Sequence, residues 1–125
     1  MANESKPLFR PGADVTALTT GSVTGKTFVG VSATRDTTTG LVKVATATAA
    51  AKPFGVAAYD AASGATLTVQ RGGILFVTAG GSIAAGAQVE IGSNGRVVTL
   101  ASGVPVGVAL EAGTSSNDVL IALDI

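Results

Sequence analysis

Pro53-Phe54-Gly55-Val56-Ala57 is answered later in the chain by Pro105-Val106-Gly107-Val108-Ala109. Outward from this pentapeptide the flanking sequences also correspond. Residues 22–70 and 82–123 each open with serine, a β-branched residue and a glycine: Ser22, Val23 and Gly25; Ser82, Ile83 and Gly86. Each then runs through an apolar strand, a glycine turn and a second strand, at 41–44 and 97–100. Each closes on a final apolar strand, at 67–69 or 119–123. Two copies of one four-strand unit predict a pseudo-symmetric all-β domain rather than a solenoid, which needs three or more repeats.

Alternation and turn punctuation place the strands. Residues 15–19 form a first strand ahead of the first copy. Residues 27–32 and 41–45 flank a polar loop at 33–40 and read as a long hairpin. Residues 54–57 are a short strand. In 66–70, Leu67 and Val69 alternate with polar neighbours and point to a core. Arg71-Gly72-Gly73 is a turn or bulge before the strand 74–78. In the second copy, 88–91 and 96–100 are joined through Gly92-Ser93-Asn94-Gly95, whose Asn-Gly pair tolerates the positive φ of a tight hairpin turn. Strands at 106–110 and 119–124 finish the chain. The alanine-rich stretch 45–51 is a loop. Glycines at turns and in the Gly-Val-Ala segments suit a tightly curved sheet. The expectation is a small single-domain barrel or β-tulip-like fold spanning 13–125, preceded by an arm.

Two strands break the alternation. Ile74-Leu75-Phe76-Val77 and Val119-Leu120-Ile121-Ala122-Leu123 are apolar on both faces. One face of a small antiparallel sheet ordinarily meets water, so these strands are either central or covered outside by another subunit. Residues 1–12 are polar and carry Pro7 and Pro11, which favour extended backbone. Their sizeable apolar group is Leu8-Phe9. They read as an extended arm, either a free terminus or a segment that docks on a partner.

At 125 residues the chain is one domain by length. Charged residues are 13% of it, against about 25% in ordinary globular domains. So neutral a surface points to a subunit whose faces are covered by neighbours, the alternative being a weakly charged soluble monomer. Formal net charge is zero and the cations are dispersed, from Lys6 to Arg96. Nucleic-acid binding needs clustered cations that displace counterions from phosphates, so nucleic acid is not an expected partner. No apolar stretch approaches the ~20 residues of a membrane span, and the first residues lack the apolar core of a signal peptide. Synthesis inside a cell without membrane association is expected.

Cysteine and histidine are both absent, which removes disulfides, thiolate metal sites and imidazole bases. Gly25-Lys26-Thr27 imitates the end of a phosphate-binding loop, but that loop needs a glycine at position 20, where Thr20 stands, and a helix afterwards. Phe28-Val29-Gly30-Val31 is a strand instead, so these residues are a turn. The acids Asp14, Asp36, Asp60, Glu90, Glu111, Asp118 and Asp124 are dispersed, without metal-ligand spacing. Hydroxyls are abundant but no histidine exists to activate one. No enzyme, cofactor or metal is expected. Arg71, on its glycine turn, is either an exposed arginine beside a bulge or a candidate to meet a partner's carboxylate.

At Pro53-Phe54-Gly55-Val56-Ala57, the loop Asp60-Ala61-Ala62-Ser63-Gly64 and the strand 66–70, the chain resembles the head decoration, or capsid cement, proteins of tailed bacteriophages. Arg10-Pro11-Gly12 at the end of the arm and Gly86-Ala87-Gln88-Val89 in the second half carry the likeness further. The resemblance implies a non-enzymatic virion protein, made in the host cytoplasm. It would bind the major capsid protein on the outer surface of an assembled shell, as a homotrimer. Under that reading Leu8, Phe9, Arg10, Pro11 and Arg71 are candidates for the capsid or inter-subunit contact. The alternative is a phage or cell-surface module that binds a receptor or sugar. Such a site usually displays exposed aromatics, and Tyr59 is the single tyrosine beside no tryptophan.

Overall fold

The glycine of the repeated pentapeptide is dictated by strand contact. A Cβ on Gly55 would stand 2.6 Å from the Gln70 carbonyl oxygen, and one on Gly107 would collide with the Ala122 carbonyl. Both glycines let one strand lie directly on the next. The computed structural model describes residues 13–125. Among them are ten strands: β1 Asp14–Thr19, β2 Phe28–Ala33, β3 Val42–Thr46, β4 Gly55–Ala57, β5 Thr66–Gln70, β6 Ile74–Thr78, β7 Gln88–Ile91, β8 Val97–Thr99, β9 Gly107–Ala109 and β10 Asp118–Leu123. Every strand expected from the sequence is present, within a few residues of its expected bounds.

The first five strands close into a barrel in the order β1-β3-β2-β4-β5, with β1 parallel to β3 and the other pairs antiparallel. The last five form a five-stranded sheet of the same connectivity, β6-β10-β9-β7-β8, which one isolated bridge curls into a second, loosely closed barrel. There the parallel seam is reduced to the bridge between Ala79 and Val97, supported by Gly80 N–H donating to the Val97 carbonyl at 2.8 Å. Thr20 N–H donates to the Val44 carbonyl at the matching place in the first barrel. The repeat is therefore five strands long. Units starting at Ser22 and Ser82 omitted β1 and β6, because these two strands share inward positions but differ outward, as Asp14 and Thr16 differ from Ile74 and Phe76.

Each barrel is filled from equivalent positions. Ala17, Val29, Val44, Leu67 and Val69 fill the first; Val77, Val89, Val97, Val119 and Ile121 fill the second. Phe28 and Val56 are opposite each other on β2 and β4 and belong to the second barrel's core cluster, not the first. They point out of the first barrel and are sealed by its neighbour. Burying side chains of this size contributes roughly 1.5–3 kcal/mol each.

Main-chain bonds cross the same junction: Thr78 N–H to the Lys26 carbonyl at 2.9 Å, and Ala50 N–H to the Ile91 carbonyl at 2.9 Å. Lys26 Nζ also meets Asp118 Oδ2 at 2.7 Å. Lys26 sits in a turn at φ 62°, as Gly86 does at φ 84° in the second barrel. The phosphate-loop look-alike is thus a turn into β2, in accord with its sequence.

Candidate attachment surface

Arg71 follows β5 directly and is held three ways. Its backbone N–H donates to the Ala13 carbonyl at 2.7 Å. Its side-chain Nε donates to the Phe54 carbonyl at 2.9 Å. Its guanidinium carbon lies 4.6 Å from the centre of the Phe54 ring, a stacking worth roughly 0.5–1 kcal/mol at an exposed site. A planar guanidinium can stack and donate along its edge together, which an ammonium cannot. The remaining guanidinium nitrogens have no partner among the described residues.

The bond to Ala13 fixes where residues 1–12 join the barrel: beside Arg71. Leu8, Phe9, Arg10 and Pro11 lie outside the described residues. Phe54 also forms the end of a shallow, mainly apolar groove of about 310 Å³, lined by Gly30, Val31, Ala47, Thr48, Ala51, Lys52 and Pro53. Val31 stands largely uncovered there. Arginine stack, chain junction and groove make one continuous region. Arg71 was visible in the sequence; its partner Phe54 was not, because only the approach of β4 to β5 brings the two together.

A second recess, about 410 Å³, opens between the barrels and is lined by Thr24, Thr27, Thr46, Thr78, Asn94 and Arg96. Its hydroxyls are partly spent inside the protein, as Thr27 Oγ1 donates to the Thr24 carbonyl at 2.6 Å. Arg96 Nη1 donates to Ser116 Oγ at 3.2 Å. No carboxylate lines the recess, so it offers hydrogen bonds without an acid–base pair. Among the described residues no three of the acidic side chains gather as a metal site.

Glu90 carries a role that sequence did not single out. It is buried, and its Oε1 accepts the Ala101 N–H. A Cβ on Gly103 would collide with its Oε2. The carboxylate thus organises the loop between β8 and β9. Asp36 similarly ties the loop 34–41, accepting the hydroxyl and the backbone N–H of Thr39. Those bonds, led by the hydroxyl and aided by Lys43, hold its carboxyl below the usual 3.8.

The described surface therefore provides a stacked arginine, an apolar groove and uncovered apolar strands. Residues 9–125 match the family model of phage cement proteins, and the chain belongs to that family. The family's role is structural, at the phage capsid. The fold is similar to that of the head fiber gp8.5 N base in bacteriophage phi29, with a TM-score of 0.74 and 22% sequence identity over 89% of this chain and 92% of that one. At that identity the likeness is one of fold. No curated protein sequence matches the chain.

Proposed function

We propose that this protein attaches as a homotrimer to the outer surface of an assembled phage head and holds neighbouring copies of the major capsid protein together. The observation that carries this reading is the family match across residues 9–125. A ligand that binds the assembled lattice, and not free subunits, lowers the lattice free energy by its binding free energy. Three linked copies raise the effective concentration of each contact after the first, so modest individual contacts sum to firm attachment.

The arm supplies the contact area that a small barrel lacks. A stable interface buries about 1,600 Å² in total, and an extended segment can reach it by pairing along a neighbour's exposed strand. Leu8 and Phe9 provide the apolar anchors, Arg10 and Pro11 the rigid exit, and Arg71 the base on which the arm is mounted. The fixed junction of Ala13 with Arg71 supports this arrangement, since it aims the arm from a defined point.

Co-sedimentation with heads that lack this protein tests the proposal. The full chain is expected to pellet to a saturating stoichiometry, and a chain lacking residues 1–12 to remain folded in the supernatant. Equal occupancy for the two chains would contradict the role given to the arm.

A further inference from the structure

The two halves share one topology, yet the outer rows of the corresponding strand pairs β1–β5 and β6–β10 have opposite chemistry. On β6, β10 and β9 the outward row is Ile74 and Phe76, then Ala122 and Leu120, then Val108 and Leu110. Register places Phe76 opposite Leu120, Ile74 opposite Ala122, and Ala122 opposite Val108, while Leu110 N–H donates to the Leu120 carbonyl at 2.9 Å. Ile74 is 63% exposed, Phe76 51% and Leu110 45%. In the first barrel the same positions hold Asp14 and Thr16 on β1 against Gln70 and Thr68 on β5. The fold therefore does not require apolar residues on the β6 and β10 part of this outer row.

From this contrast we infer that the β6–β10–β9 face is where copies of this chain meet one another. This deepens the proposed function by assigning the trimer contact to a surface, and it rests on that reading for the number of copies. The row itself carries no charged side chain between Asp118, which is paired with Lys26, and the exposed Asp124 beyond the far end of β10, and at its margin Glu111 Oε1 accepts the Leu120 N–H. An uncharged apolar face complements another of its own kind. The chain already contains such a seal, because the outward Phe28 and Val56 of one barrel are buried by the other.

Area favours closure around an axis. The largest apolar patch on a typical monomer is about 300–600 Å², short of the ~800 Å² that each partner gives a standard interface. A two-fold pair built on one such patch alone is underfilled. Three copies around one axis let every face touch two neighbours. The edge of β6 helps, since among the described strands it pairs only with β10 apart from the Ala79–Val97 bridge.

The first barrel itself supplies the test substitutions. Ile74→Asp, Phe76→Thr and Leu120→Thr copy onto the second barrel residues that the same topology carries at Asp14, Thr16 and Thr68. Light scattering over a concentration series is expected to give the mass of three chains for the natural protein and of one chain for the triple variant, with both unfolding cooperatively. A natural chain that is single at every concentration, or a triple variant that keeps three-chain mass, overturns the inference. Crosslinking tests it without touching the apolar residues. The chain has no cysteine, so Gln88→Cys, opposite Val108 on the face margin, introduces a lone thiol. Oxidation is expected to link chains at position 88 and not through a control Thr38→Cys; equal linkage at both sites overturns the inference. Co-sedimentation with heads separates the two readings. A chain that is single in solution but pellets with heads removes this interface and leaves attachment standing. A three-chain species that stays in the supernatant does the reverse.

Discussion

Gly95 rests on the backbone of Phe28 so closely that a methyl group at position 95 would stand 2.7 Å from the Phe28 carbonyl oxygen. Gly95 also holds φ at 70°, beside Asn94 at φ 60°. One residue thus closes the β7–β8 turn and seats the second barrel on the first. Gly95→Ala is expected to lower stability by more than about 2 kcal/mol, because it adds left-handed strain of ~1–2 kcal/mol to an overpacked contact. Urea unfolding measures this; a loss under about 1 kcal/mol would mean that the turn does not lock the barrels.

The Arg71–Phe54 stack is expected to couple the two residues by roughly 0.5–1 kcal/mol. A double-mutant cycle with Arg71→Ala and Phe54→Leu, read by thermal unfolding, isolates the pair. Arg71→Lys should recover little of the loss, since an ammonium neither stacks nor donates along a planar edge.

Ser116 adopts φ 68° where the first barrel places Gly64 at φ 80°. Ser116→Gly is expected to raise stability by up to about 1 kcal/mol through relief of left-handed strain, less a few tenths for the lost bond from Arg96. Gly64→Ala should lower stability by a similar amount. The paired result, opposite in sign at equivalent positions, is checked by melting temperature.

Asp36 titrates below its ordinary 3.8, chiefly through the Thr39 hydroxyl and backbone N–H. A depressed carboxylate stabilises the fold fully above the unfolded value and loses that contribution as pH falls through the lower folded value. Carboxyl NMR should place the Asp36 midpoint below 3.8 and show it rising in Thr39→Val. The loop bond from Gly40 N–H to the Asp36 carbonyl should weaken over the same acid range. An unchanged midpoint in Thr39→Val would remove the assigned cause.

The strands were legible in the sequence because inward and outward positions differ in polarity, as in Thr66-Leu67-Thr68-Val69-Gln70. The repeat was legible where backbone contact constrains it, at Gly55 and Gly107. It faded at β1 and β6, whose outer residues differ in polarity, Asp14 and Thr16 against Ile74 and Phe76. The barrel–barrel junction left no local sign: Phe28 occupies an outward strand position, and the turn that buries it belongs to the other repeat. Ile74 and Phe76 did announce themselves, as outward apolar residues in a strand that one sheet face cannot explain. Of the candidate contact residues, Arg71 could be singled out by its glycine neighbours, whereas its stack on Phe54 depends on a pairing that only the closed barrel creates.

Attachment that stabilises the shell is tested most directly by calorimetry of phage heads lacking this protein, titrated with the purified chain. The disassembly temperature is expected to rise with added protein and to level off at a fixed ratio of chains to capsid subunits. A disassembly temperature that stays constant through saturating additions would contradict the account.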